Sequence, residues 1–304
     1  MRLRLVDLDG VDSPRAVAAE LDLDAQVVDA RDLRSRLRLW AAPSAMIEFA
    51  GRLAVAGQPK GAGPVLTMFG SGDYHHLTAT LLAKIDEPFT LIHFDNHPDW
   101  VRFAPRFHCG AWVNRALELE SLVRVITIGP CSDDLSWPEL KGGNVAALAS
   151  GRIELYPWRR PPTTVLRRFA DSPSLRRKGR QVMWRNVADD WPVFLEELHT
   201  RIPTAAIWIT VDKDVLRLSD AGTNWDQGQM PLGALLDGIQ RLSRGKRVLG
   251  ADVCGNYSPR RFGLNLAKRV EASLEHAQAP SEAAERRNAE VDRALIGTFK
   301  EALR

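Results

Sequence analysis

The chain has 304 residues, 41 Lys/Arg against 38 Asp/Glu for a formal charge of +3, and 45% hydrophobic and 26% charged residues. This is ordinary globular composition, which excludes collagenous and disordered classes, and three widely spaced cysteines (Cys109, Cys131, Cys254) exclude a disulfide framework or a CxxC-type zinc site. Asp7 and Asp9 interrupt the first apolar run before a signal-peptide core can form, and no run approaches the ~18 apolar residues of a bilayer span, so a cytoplasmic protein is expected.

In chain order, the β-branched and apolar runs predict strands at Leu3–Val6, Val65–Phe69, Phe89–Phe94, Val123–Ile128, Ile153–Tyr156, Ala205–Val211 and Val248–Val253. Helical patterns fall between and after them, at Pro14–Ala19, Ala42–Val55, Leu77–Lys84, Gly110–Glu118, Val193–His199, Leu232–Leu242 and Ser281–Leu303. Several strands are almost continuously apolar, as central parallel strands covered on both faces are. The alternation predicts an α/β fold over residues 1–304, one domain with a basic insertion around 157–187.

Polar clusters follow three of the strands, where ligands of open α/β sheets gather. After Phe89–Phe94 comes Asp95-Asn96-His97-Pro98-Asp99. Extended backbone puts residues i, i+2 and i+4 on one side, so Asp95, His97 and Asp99 share a face. Two carboxylates and an imidazole suit Mn, Fe, Co or Zn better than Ca. After Ala205–Val211 come Asp212 and Asp214, like charges that are costly to bury without a cation. After Val65–Phe69 comes Gly70-Ser71-Gly72-Asp73-Tyr74-His75-His76, a Gly-rich turn with no GK[ST] to make it a P-loop. Each cluster alone is compatible with a solvated turn; their order and number favour a shared site.

Together the three motifs resemble the ureohydrolase superfamily of arginases, agmatinases and formimidoylglutamases, over about Val65 to Pro259. The resemblance implies a three-layer α/β/α domain around a mostly parallel sheet of about eight strands, and two Mn²⁺ ions or other divalent transition metals at the strand ends. It implies that Asp95 and Asp212 bridge the ions, with His75 and Asp99 completing one shell and His97 and Asp214 the other. Asp99 then also orients the attacking water, and His108 delivers a proton to the leaving amine. The first motif departs from the family's Gly-Gly-Asp-His because Tyr74 intervenes, which leaves His75 and His76 as alternative ligands. Cys109 separates His108 from Gly110, where the family has a His-Gly step. Homo-oligomers are common in the family, and one is expected here on that ground.

The implied activity is hydrolysis of a linear, non-peptide C–N bond in a guanidino, amidino or formimino compound. Arg106, with Arg102, is a candidate for holding a substrate carboxylate, and Asn224, Asp226 and Gln227 lie in the position of a substrate loop. Where arginases and agmatinases carry a Glu that grips the guanidinium, the run from Asp252 places Gly255. A buried guanidinium without its carboxylate loses roughly 3–5 kcal/mol, so negligible hydrolysis of L-arginine and agmatine is expected.

Three other readings compete. The deacetylase branch shares the sheet but holds one zinc through fewer ligands, and His75 and Asp99 argue against it. A metal-free binding protein has no reason to keep all six ligands. Residues 158–187 carry a net charge of +8 against −5 for the remainder, with Trp158, Phe169 and Trp184 interleaved, a pattern that also suits nucleic acid; a solvated loop is the commoner origin of such a run.

Overall fold

Eight strands form one all-parallel sheet in the computed structural model, which describes residues 1–10, 12–168, 170–276 and 282–303. They are β1 (Arg2–Asp7), β2 (Ala25–Asp29), β3 (Val65–Gly70), β4 (Phe89–Phe94), β5 (Leu122–Ile128), β6 (Ile153–Tyr156), β7 (Ala206–Asp212) and β8 (Arg247–Cys254). Their order across the sheet is β2-β1-β3-β8-β7-β4-β5-β6. Seven match the expected strands to within two residues at each end. The eighth, β2, has no apolar signature because it is an edge strand in which only Val28 is buried.

Helices cover both faces. Those that position the site and core are α1 (Asp12–Glu20), α2 (Pro43–Ala56), α3 (Thr78–Leu82), α4 (Trp112–Ala116), α5 (Trp191–Arg201), α6 (Leu232–Ser243), α7 (Leu266–Glu275) and α8 (Glu282–Ala302). On one face α1, α5, α6 and α8 bury residues such as Phe194, Leu235, Ile239 and Leu295 against Leu5, Ile209 and Val211. On the other, α2, α3 and α4 bury Phe49, Leu82 and Trp112 against Phe89, Leu91 and Trp208. This is the expected α/β/α sandwich. Among the described residues no helix is long and apolar enough to cross a membrane.

Two expected helices begin differently. Leu77–Lys84 becomes a 3₁₀ run, Gly72–Leu77, leading into α3, and Gly110–Glu118 becomes a 3₁₀ turn, Cys109–Ala111, leading into α4. Helix α7 was not anticipated. Its periodic apolar residues Leu266, Val270 and Leu274 are 68%, 51% and 79% exposed, while it buries Lys268 and Ala272. Ser281, the expected start of the helix ending near Leu303, lies outside the described residues.

The basic segment forms a small antiparallel sheet of Thr163–Thr164, Leu175–Lys178 and Gln181–Trp184 between β6 and α5. Trp158 and Trp184 are buried, Trp158 against Trp191 at 5.3 Å between ring centroids. Phe169 lies outside the described residues. Several of the basic side chains are engaged internally: Arg159 with Asp189 at 2.5 Å, Arg185 with Asp190 at 2.6 Å, and Arg160 with the carbonyls of Cys131 and Ser132 at 2.7 Å. The two described indoles are therefore not stacking platforms of the kind single strands bind.

Candidate metal centre

The four central strands end at one level. Cys254 of β8 pairs with Gly70 of β3 on one side and with Asp212 of β7 on the other, and Val211 pairs with Phe94 of β4. The segments that follow therefore emerge side by side. After β3, Ser71 Oγ accepts from the Asp73 amide at 3.2 Å and starts the 3₁₀ run that lays His75 over the strand ends. Gly72 permits the approach, since a Cβ there would lie 2.5 Å from Asp212 Oδ2. After β4, Asp95, His97 and Asp99 turn to a common side, with Asp99 in the left-handed region at φ 47°, a conformation Asp tolerates better than most residues. After β7, Asp212 Oδ1 accepts from the Asp214 amide at 3.0 Å, and the two carboxylates face the site. Lys213 between them points away and pairs with buried Asp292 of α8 at 2.7 Å.

All six expected ligands meet there. His75 Nδ1 makes no hydrogen bond of proper geometry, yet it lies 3.1 Å from Asp95 Oδ2, 3.2 Å from Asp99 Oδ2 and 3.7 Å from Asp212 Oδ2. Beside it, His97 Nδ1 lies 2.9 Å from Asp214 Oδ2 and 3.6 Å from Asp95 Oδ1. The tautomer of His75 follows from its neighbours. Thr210 Oγ1 donates to Asp252 Oδ1 at 2.7 Å, so it accepts from His75 Nε2 at 2.9 Å and leaves the Nδ1 lone pair facing carboxylates. A lone pair among anions is satisfied by a proton or by a cation. Ligand atoms about 2.1 Å from an ion stand about 3 Å apart in octahedral geometry, so this donor set fits a divalent metal. His76 is not in this cluster; it is fully buried elsewhere with neither ring nitrogen hydrogen-bonded, and burial pushes its pKa down to about 3.

The electrostatics point the same way. Burial, with the Asp95 charge beside it, pushes the Asp99 carboxyl up to about 6. Burial also raises Asp212 and raises Asp214 well above the carboxylate range, each helped by a neighbouring carboxylate. Burial alone would lower His75 and His97, but the acidic groups facing them, Cys254 and Asp95 for His75 and Asp214 for His97, raise both on balance. Of the four crowded carboxylates, Asp99, Asp212 and Asp214 thus hold their protons more tightly than a free carboxylate, while Asp95 is held well below the usual range; a divalent cation would replace those protons.

A cavity of about 550 Å³ opens onto this cluster, lined by Asp95, His97, Asp99, Asp212, Asp214 and, further out, His108, Trp225 and Asp226. Asp133, Asp134, Glu271 and Glu275 make its outer wall acidic, with Lys141 paired to Asp133. His108 Nδ1 accepts from the Gly110 amide at 2.9 Å, so Nε2 carries the hydrogen and donates to Glu271 Oε1 at 2.6 Å. Cys109 also lines the cavity, but burial holds its thiol well above the usual range, which removes the thiolate that thiol catalysis needs. Asp226 Oδ1 accepts from His97 Nε2 at 2.8 Å.

The structure places the other expected substrate contacts outside the cavity lining. Arg106 is exposed and pairs with Glu118 at 3.1 Å, and exposed Arg102 likewise lies outside the cavity lining. Asn224 is buried and ties Ser71 to Ser258 through bonds of 2.9–3.0 Å. Gln227 is spent on the carbonyls of Leu216 and Ala221. Gly255, at φ 99°, does not line the cavity; its Cα packs so tightly on Asp212 and Lys213 that no side chain fits.

Three contributors were missed. His93 sits two residues before Asp95 on the same strand face, and its Nε2 lies 2.8 Å from Asp95 Oδ2; the i, i+2 spacing that grouped Asp95 with His97 could have found it. Cys254 Sγ lies 3.2 Å from Asp212 Oδ2. Glu271 comes from α7, which had no buried apolar stripe to announce it.

No known family profile matches the chain. In sequence it is similar to a Thermotoga maritima protein described as uncharacterized, 26% identical over 197 residues, which is 65% of this chain and 60% of that protein. The match thus spans about three fifths of that relative's length. In fold the chain is similar to proclavaminate amidino hydrolase from Streptomyces clavuligerus, at a TM-score of 0.60 and 13% identity over 99% of this chain and 91% of that one. It is similar to arginase from Bacillus cereus at 0.59 and 14%, over 98% of each chain, and to formimidoylglutamase from Bacillus subtilis at 0.59 and 16%, over 99% and 87%. The arginase-like resemblance read from the motifs is borne out at the level of the fold.

Proposed function

We propose that the protein is a metal-dependent hydrolase of an amidino or guanidino C–N bond. The observation that carries this is the unpartnered Nδ1 of buried His75 facing three carboxylates, with His97 and Asp214 alongside, at the floor of an acidic cavity. His75, Asp95, Asp99 and Asp212 would hold one ion, and His97, Asp95, Asp212 and Asp214 a second; manganese is the metal the family resemblance suggests. Two such ions would supply Lewis acidity and bring the pKa of a shared water towards neutrality. The Asp99 carboxylate, steadied by Trp112 Nε1 at 2.6 Å, orients that water, and His108, aligned by Glu271, delivers a proton to the leaving nitrogen.

The wall carboxylates favour a substrate that is cationic or rich in hydrogen-bond donors beyond the scissile bond. Of the carboxylates nearest the cluster's open side, Asp226 and Glu271 are already engaged by His97 and His108, so neither is free to grip a guanidinium beside the scissile bond, and L-arginine and agmatine are expected to be hydrolysed negligibly. The test is a screen of guanidino, amidino and formimino compounds with Mn²⁺, following urea, ammonia and formamide. Asp95→Asn and Asp212→Asn should each lower turnover about a thousandfold, several kcal/mol of transition-state stabilisation. Full activity in both variants ends the proposal; rapid urea release from arginine or agmatine ends the substrate restriction.

A further inference from the structure

We propose that Cys254 Sγ is an additional donor to the ion held by His75, giving that half of the centre a soft ligand. This rests on the metal-centre reading above. A buried cysteine is usually a small hydrophobe, its sulfur against apolar atoms. Cys254 is 1% exposed, but its sulfur faces polar atoms: it lies 3.2 Å from Asp212 Oδ2, and Sγ, a His75 ring nitrogen and an Asp212 oxygen all lie within 4.8 Å of one another. The fold makes the placement unavoidable, because Cys254 ends β8 in register between Gly70 of β3 and Asp212 of β7.

Two independent features point to a ligand. One is the unpartnered Nδ1 of His75, itself 1% exposed and turned towards the same point. The other is spacing. Atoms bound 2.0–2.3 Å from one ion stand about 3 Å apart at right angles and about 3.3–3.8 Å apart in a tetrahedron, and Nδ1 of His75 lies 3.1, 3.2 and 3.7 Å from oxygens of Asp95, Asp99 and Asp212, the last of which lies 3.2 Å from the sulfur. As the sulfur–metal bond forms, the S–H proton leaves to solvent. A thiolate donor shifts preference from hard Mn²⁺ towards Zn²⁺, Fe²⁺ or Co²⁺, so the two halves differ in the metal they select.

The experiment is a Co²⁺ titration of the full chain after chelator treatment, followed by absorption. Visible d–d bands report occupancy, and a near-ultraviolet sulfur-to-cobalt charge-transfer band reports a thiolate ligand. Wild type and Cys109→Ala should show both. Cys254→Ser, with Cys254→Ala as the second variant, should keep the d–d bands and lose the charge-transfer band, while Zn²⁺ affinity falls about tenfold or more. A wild-type cobalt protein with d–d bands and no charge-transfer band overturns the role of Cys254 and leaves the metal centre standing. The charge-transfer band surviving in both Cys254 variants does the same. No stoichiometric cobalt binding and no d–d bands overturn the centre itself, and this proposal with it.

Discussion

Around His75 the site is sealed. His75, His93, Asp95, Asp99 and Cys254 are each no more than 6% exposed, and the rings of His75 and His93 pack on Trp112 at 4.8 and 5.4 Å. Around His97 it is open: the His97 side chain is 13% exposed and that of its partner Asp226 is 60% exposed. The sealed half is held by a chain of buried hydrogen bonds, His75 to Thr210 to Asp252, with Trp208 Nε1 and Thr78 Oγ1 also donating to Asp252. In the open half His97 is held between buried Asp214 and exposed Asp226, the latter within reach of solvent and substrate. The contrast assigns structural permanence to one half and exchange to the other.

The largest effect that would test this contrast is on stability without metal. Asp99 is pushed up to about 6 from an ordinary value of 3.8, so the native state keeps its proton longer than the unfolded chain. Chelator-treated protein therefore loses stability as pH rises from about 4 to about 6. His75 and His97, with raised values, act in the same direction: the stability they give below about pH 6.5 is lost as pH climbs through those values. Asp95, held low, runs the other way. Thermal melts with and without chelator at pH 5 and pH 8 should show a gap that widens with pH; a constant gap would contradict the proton-for-metal exchange.

Next in size, His108→Ala should lower kcat about a hundredfold with metal content unchanged, because His108 touches Glu271 and the cavity but none of the six donors. Loss of metal in that variant would make His108 structural. Smallest, and sharpest for the two halves, is a pair of changes scored by calorimetry with Zn²⁺. Thr210→Val frees the His75 tautomer and should weaken one site about tenfold. Asp226→Asn should change affinity less than threefold while altering KM. Equal effects would erase the distinction between the halves.

The motifs were legible because strand geometry is periodic: alternation alone grouped Asp95, His97 and Asp99, and the apolar runs marked where they surface. His93 obeyed the same alternation and was passed over because a histidine inside an apolar run reads as core. Glu271 was illegible for a different reason. Helix α7 exposes Leu266, Val270 and Leu274 and buries Lys268, whose ammonium donates to the carbonyls of Ser35 and Arg36 at 3.0–3.1 Å, so hydrophobic periodicity pointed the wrong way. Asn224 and Arg106 were chosen by residue type and position in a loop, which say nothing about which way a side chain turns. Gly255 marked a close approach of backbone to Asp212, a packing demand indistinguishable in sequence from an absent functional group.

The strand order has a consequence for the newborn chain. Strands β3 and β4, which carry His75 and Asp95, are not neighbours; β7 and β8 lie between them, and residues 95–205 must be made before β7 begins. During synthesis His75 and the Asp95–Asp99 run therefore belong to separate pieces of sheet, each with an open edge. The pair of strands that joins them brings Asp212 and Cys254 in the same movement, so the cluster is completed only when the sheet closes. Such late, long-range closure is slow and leaves strand edges exposed meanwhile. Metal supplied during refolding should raise the final yield by stabilising the closed sheet, without hastening the step that closes it.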